Sequence, residues 1–199
     1  MTRNNLIFVA FAAMVLLQLF VPAYMIVEQE NVIKKGKAFK FRTAPIDPSD
    51  PFRGKYITLS FEDDRLLTAD WQAWEAHEDA EVYLELETDS AGFARIRQVH
   101  LSPPAHTQDY FRATLYNVYE AHQHPGMGYL HFRFPFNRFY MEESKAGPAE
   151  QLYREAGRQP DSTEVYAVVY VRSGKAVVAE VMLNGLPIKE AVAAQQKEE

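Results

Sequence analysis

The chain has 199 residues, enough for one sizeable core and short for two domains. Its formal net charge of −6 argues against nucleic acid as a partner, because a nucleic-acid binder normally carries a basic face. It contains no cysteine, which removes disulfides, thiol catalysis and thiolate metal sites together.

After a short tail, residues 1–5, residues 6–27 read LIFVAFAAMVLLQLFVPAYMIV, with Gln18 the only polar residue and no charge. At 1.5 Å per residue this run extends roughly 33 Å, against a hydrocarbon core of about 30 Å. The run predicts a transmembrane helix, with the lipid bilayer as its partner. A cleaved signal peptide has a shorter apolar region and a small-x-small site, which Val21-Pro-Ala-Tyr-Met does not offer. Orientation is contested. Lys34, Lys35, Lys37, Lys40 and Arg42 follow the span while Arg3 alone precedes it, and the positive-inside rule would then hold the domain in the cytoplasm. A short tail before a first apolar helix is, however, the signal-anchor layout. The expectation is a single-pass protein of the cell (inner) membrane, with its soluble domain extracytoplasmic.

Residues 28–38 read as a charged juxtamembrane linker, and 39–190 as a β-rich soluble domain. Residues 39–43 alternate and suggest a first strand. In the next segment Asp47-Pro48 and Asp50-Pro51 force the backbone away from the helical region, and Gly54 precedes a second alternating run. There Tyr56, Thr58 and Ser60 face one way, while Ile57, Leu59 and Phe61 face the core. Asp47, Asp50, Arg53, Gly54, Tyr56 and Leu59 are the candidate binding residues, since a loop held by a scaffold often carries function. The competing reading has Asp47 and Asp50 capping turns through their own backbone, with Arg53 paired to one of them.

Thr68-Ala-Asp-Trp71 resembles a helix start, with Trp71 and Trp74 sharing one face of a short helix ending near Asp79. Two alternating runs, 82–87 and 93–99, flank Asp89-Ser-Ala-Gly92 and form a hairpin signal. A second pair, 110–119 and 129–134, flanks His124-Pro-Gly-Met-Gly128, and a third, 165–171 and 176–183, flanks Ser173-Gly174. The first and third hairpins both open on Val-Tyr, which raises an internal duplication against two ordinary hairpins. Residues 149–156 read as a short helix, and 191–199 as a flexible tail. The fold class is mainly β: a transmembrane helix, then an antiparallel β-sandwich or open barrel with two short helices.

His122, His124 and His131 are the candidate metal ligands, for zinc or copper, because the hairpin turn brings three imidazoles into one region. A surface turn rich in polar residues accounts for them equally well. A serine–lysine dyad of Ser60 and Lys55 fails on parity, since an extended strand puts the two on opposite faces. The chain has no P-loop, no helical His-Glu-x-x-His and no dinucleotide fingerprint, so no cofactor is implied and no reaction is assigned.

Gly54, Tyr56 and Leu59 stand at the spacing of the GDYXXLXY family signature, which the chain resembles. Lys55 replaces the usual Asp and Phe61 the final Tyr. Residues 136–143, followed by Ala149-Glu150, are similar to the family's aromatic-acidic segment. The resemblance implies a membrane-anchored, functionally uncharacterised protein with an extracytoplasmic domain, partnered with a multi-pass membrane protein. Tyr110, Tyr116 and Tyr119 would supply such an interface, and Gln18 a hydrogen bond within the span. An ammonium at Lys55 cannot do the work of a catalytic carboxylate, so the position is not read as catalytic. The expectation is a non-enzymatic domain that binds or supports a membrane or envelope protein. The alternative is an envelope hydrolase or small-ligand module using residues 45–61.

Overall fold

A computed structural model describes residues 3–44, 56–157 and 163–198. The apolar run lies in one long helix, α1 (Arg3–Lys35). Its Ile7–Lys35 stretch is long and apolar enough to cross a membrane, and none of its most apolar window is buried by the rest of the chain. The residues read as a juxtamembrane linker are therefore mostly helix. Gly and Pro are both absent from residues 23–35, and the Glu30–Lys34 pair at 2.9 Å supports the extra turns. The helix ends on Gly36, whose N–H donates to the Val32 carbonyl oxygen at 2.8 Å. A Cβ at Gly36 would run into that oxygen and lie 2.9 Å from the Val171 carbonyl oxygen. Val32 itself is buried, so the end of α1 is packed onto the domain rather than tethered to it.

Strand β1 (Lys37–Ala44) follows at once. It lies between β10 and the edge strand β3 in a five-stranded antiparallel sheet made with β3 (Ser60–Phe61), β10 (Val165–Arg172), β11 (Lys175–Leu183) and β12 (Leu186–Pro187), in the order β12-β11-β10-β1-β3. A second five-stranded sheet contains β4 (Arg65–Thr68), β5 (Glu81–Thr88), β6 (Ala94–His100), β7 (Tyr110–Glu120) and β8 (Gly128–Arg133), ordered β4-β8-β7-β5-β6. A two-stranded ladder pairs β2 (Tyr56–Thr58) with β9 (Arg138–Tyr140). The mainly β expectation holds, and the sheets form a nearly closed antiparallel barrel.

Two seams bring the sheets together. Lys40 bridges Phe93, and the tip of the β10–β11 hairpin reaches β7, where Gly174 N–H donates to Tyr110 O at 2.9 Å and Arg112 N–H to Gly174 O at 3.1 Å. That tip is a two-residue turn, Ser173 and Gly174, with φ of 45° and 91°. Positive φ at both positions matches the strand twist, and glycine meets it at no steric cost. Between the sheets Phe41, Phe61, Phe111, Phe134 and Phe136 interlock at centroid distances of 5.0 to 6.2 Å. Such pairs add about 0.5–1.5 kcal/mol each beyond burial.

The sequence order of hairpins is found, with local differences. Residues 71–77 form a 3-10 turn instead of an α-helix; three residues per turn still stacks Trp71 over Trp74, and both pack partly buried against the core. Strand β4 lies in a segment for which the sequence predicted no element, and β9 within the aromatic-acidic segment of residues 136–143. Helix α2 (Glu143–Gly157) starts six residues early and buries Ala146, Ala149, Tyr153 and Ala156 along one face. The last residues, read as a tail, continue as helix α3 (Ile188–Glu198), held by fully buried Ile188 and Val192 at an i, i+4 spacing.

Candidate functional site

The outer face of β4, β8 and β7 carries a contiguous set of aromatic and guanidinium groups that touch one another. Its geometry begins with a bulge. Leu115 pairs with Phe132 and Asn117 with His131, so Tyr116 is one residue too many and is turned outward, 48% exposed. Strand alternation puts Tyr129, His131 and Arg133 of β8 on the same outer face. Arg133 stacks on Tyr116 at 4.4 Å, Arg65 lies over Tyr129 at 5.3 Å, and Tyr119 and Tyr129 meet at 5.7 Å. His131 lies 5.7 Å from the Tyr116 ring, and its Nε2 is 2.9 Å from an Asp64 carboxylate oxygen. Stacking of this kind fixes arginine rotamers before any partner arrives, and Tyr and Arg are the residues interfaces favour.

On the other half of that sheet a carboxylate is buried. Glu85 is 3% exposed although it lies on the side of β5 opposite to Leu84 and Leu86. It is covered by the end of β6 and the following loop, which bring His100 Nε2 to 2.9 Å and His106 Nε2 to 3.1 Å of one carboxylate oxygen. Arg97 lies 3.4 Å from the other oxygen. An ionised carboxylate only accepts, so both imidazoles donate from Nε2. Burial alone would raise the Glu85 pKa, but the two histidine hydrogen bonds and the charges of His106 and Arg97 outweigh it and hold the group below the ordinary glutamate range. The cluster keeps a buried negative charge, and the exposed His106 and Arg97 make its rim reachable from solvent.

The sequence candidates are distributed differently. Asp47, Asp50, Arg53 and Gly54, with Lys55, lie outside the described residues. Tyr56 is at the surface of β2, its ring 5.4 Å from Tyr140, with Arg138 over it at 4.9 Å. Leu59 is a core residue, 3% exposed, as are Ile57 and Phe61 on the same face. Two surface cavities, of about 470 and 570 Å³, both lie away from Tyr56.

The three histidines do not assemble. His131 pairs opposite Asn117 inside the β7–β8 ladder, whereas His122 and His124 lie in the turn beyond the end of β7 at Glu120. Among the described residues no group of three His, Asp or Glu is placed to hold a metal ion, so the metal expectation is not met. Tyr110 is also removed from the interface, since it is buried at the barrel seam. Tyr116 and Tyr119 remain exposed. Glu85, Arg97 and His106 were missed because strand alternation alone reads Glu85 as a solvated outward residue. No sequence signal announces the loop that covers it.

These features define a class: an antiparallel β-barrel domain fixed to the end of one apolar N-terminal helix. The chain belongs to the GDYXXLXY protein family, whose model matches residues 18–181. The function of that family is uncharacterised. No curated protein and no solved structure matches the chain.

Proposed function

We propose that this is a single-pass membrane protein whose extracytoplasmic β-barrel domain binds a membrane-protein partner through the Tyr116–Arg133 face. The observation that carries this reading is the outward-turned Tyr116 stacked on Arg133. Fully packed aromatic and arginine anchors are where binding energy concentrates. The partner is a membrane protein because the face is continuous with the helix. Arg133 also lines the cleft against Glu28, one residue past the apolar run, and Gln18 is exposed within that run. A partner that touches both surfaces has to be embedded beside α1. Gln18 would then gain an interhelical hydrogen bond, worth about 0.6 kcal/mol in a bilayer.

Purification of the full-length chain in mild detergent is the test. A membrane protein should co-purify in a fixed ratio and be lost with the Tyr116→Ala, Arg133→Ala double variant. Recovery of the chain alone, or a partner indifferent to the double variant, overturns the reading. A C-terminal alkaline phosphatase fusion tests the side of the membrane, since the enzyme is active only outside the cytoplasm.

A further inference from the structure

Between the end of α1 and the barrel lies a cleft of about 470 Å³, lined by Glu28 and Val32 from the helix and by Glu81, Arg112, Arg133 and Lys175 from the domain. We propose that this cleft binds a net-anionic phosphate at the membrane surface, presented by a phospholipid headgroup or as the free ion. The inference rests on α1 lying in a bilayer, not on the partner.

Position is the first support. Residues 28 to 32 rise about 6 Å along the helix, immediately after the apolar run. The headgroup layer is itself about 5–7 Å deep on each side of the hydrocarbon. An upright α1 therefore holds the cleft at the depth of lipid phosphates, and Val32 fixes that height by packing into the domain.

Charge is the second. Three cations face two carboxylates. Lys175 pairs with Glu28, and Arg112 with Glu81 at 3.5 Å. Arg133 stacks on Tyr116 and has no carboxylate partner among the described residues. Both ion pairs are exposed, Arg112 and Glu81 to 50% and 58%. Exposed pairs are worth only about 0–1 kcal/mol, so a phosphate can exchange for either carboxylate at little cost. Guanidinium groups offer it the bidentate geometry it prefers.

The experiment uses the full-length chain, delipidated in non-ionic detergent. It is titrated with phosphatidylglycerol, with phosphatidylcholine of the same acyl chains, and separately with inorganic phosphate. Native mass spectrometry counts bound lipid, and the unfolding midpoint reports bound phosphate. One phosphatidylglycerol per chain should be retained, against little phosphatidylcholine. Arg133→Gln with Lys175→Gln should weaken its binding about tenfold, the equivalent of one charge-assisted contact. Glu81→Gln removes a competitor but no cation and should bind more tightly, which keeps the test open if the double variant does not fold. If inorganic phosphate raises the midpoint and displaces the lipid, the free ion is the ligand; if it does neither, the headgroup is. Equal retention of both lipids with unchanged variants overturns the proposal, as does absence of binding by phosphatidylglycerol and phosphate alike. Neither result touches the partner reading, which co-purification decides.

Discussion

The hairpins β5–β6 and β10–β11 share a plan and differ in what they carry. Both open on Val-Tyr, at Val82 and Val165, and both slip register after the fourth residue. Glu85 pairs with Gln98 but Leu86 with Ile96, leaving Arg97 over; Val168 pairs with Glu180 but Val169 with Val178, leaving Ala179 over. The shared slip adds a backbone feature to the sequence likeness that suggested duplication. The contents invert expectation. Glu85 is 3% exposed, whereas Val168, at the matching place, is only half-buried. Burial on the outer face of a sheet is thus decided by what folds over it, not by the strand residue. The loop after β6 covers Glu85 with His106, and the polar cluster exists because a bulge and a loop meet there.

The inner face of one hairpin should respond far more strongly than the outer face of the other. Leu84 is fully buried, so Leu84→Ala should cost about 2–5 kcal/mol in denaturant unfolding of the full-length chain in detergent. Val168→Ala, half-buried on the other hairpin, should cost less than about 1 kcal/mol. Equal losses would mean that the β10–β11 outer face is covered by something beyond the described residues. Next in size is Glu85→Ala, expected to cost about 1–3 kcal/mol because it leaves the His100 N–H, and one side of His106, without an acceptor. If Glu85→Ala were no worse than Val168→Ala, the cluster would be incidental to folding.

Acid should separate the hairpins further. The folded-state pKa of Glu85 is depressed, so its contribution is complete above the ordinary glutamate value and is lost as pH falls through the lower folded value. Asp89, in the β5–β6 turn, behaves in the same sense: the Phe93 N–H bond first, then Arg42 and the Ala91 N–H, hold it low against partial burial. The unfolding midpoint should fall with acidification below the carboxylate range, and Glu85→Gln and Asp89→Asn should each flatten that fall. A Val168→Ala chain should keep the full slope. A slope unchanged in both carboxylate variants would place the acid-sensitive group elsewhere.

The architecture was legible where periodicity speaks. Alternation in residues 56–61 named Ile57, Leu59 and Phe61 as core, and all three are buried. The hairpin turns at Ser173-Gly174 and Asp89–Gly92 were readable from turn chemistry, and the membrane-length helix from apolar length. Short elements were not readable. Strand β4 is four residues beside an acidic run, and β9 is three residues whose pairing with β2 is long-range. The docking of α3 rests on Ile188 and Val192, two branched apolar residues in a stretch of small and charged ones. Sites fared worst, since they depend on which loops meet. His122 and His131 are close in sequence yet separated by ladder register, while Glu85 and His106 are far apart in sequence and touch.

The smallest expected effect bears on the bulges themselves. Arg97 is the extra residue of β6, 61% exposed and 3.4 Å from Glu85; Ala179 is its counterpart in β11. A bulged residue is left out of the ladder, so its side chain answers only to what lies near it. For Arg97 that is a buried carboxylate already held by two histidines. An exposed guanidinium reaching it at 3.4 Å, half in solvent, is expected to contribute about 0–1 kcal/mol. Arg97→Ala should therefore lower stability by no more than that at low salt, and by less at high salt, where screening has already weakened the pair. The two histidines continue to hold Glu85, so the acid slope should survive in the Arg97→Ala chain. If it vanished instead, Arg97 and not the histidine pair would be what keeps Glu85 ionised, and the two bulges would differ by a single guanidinium.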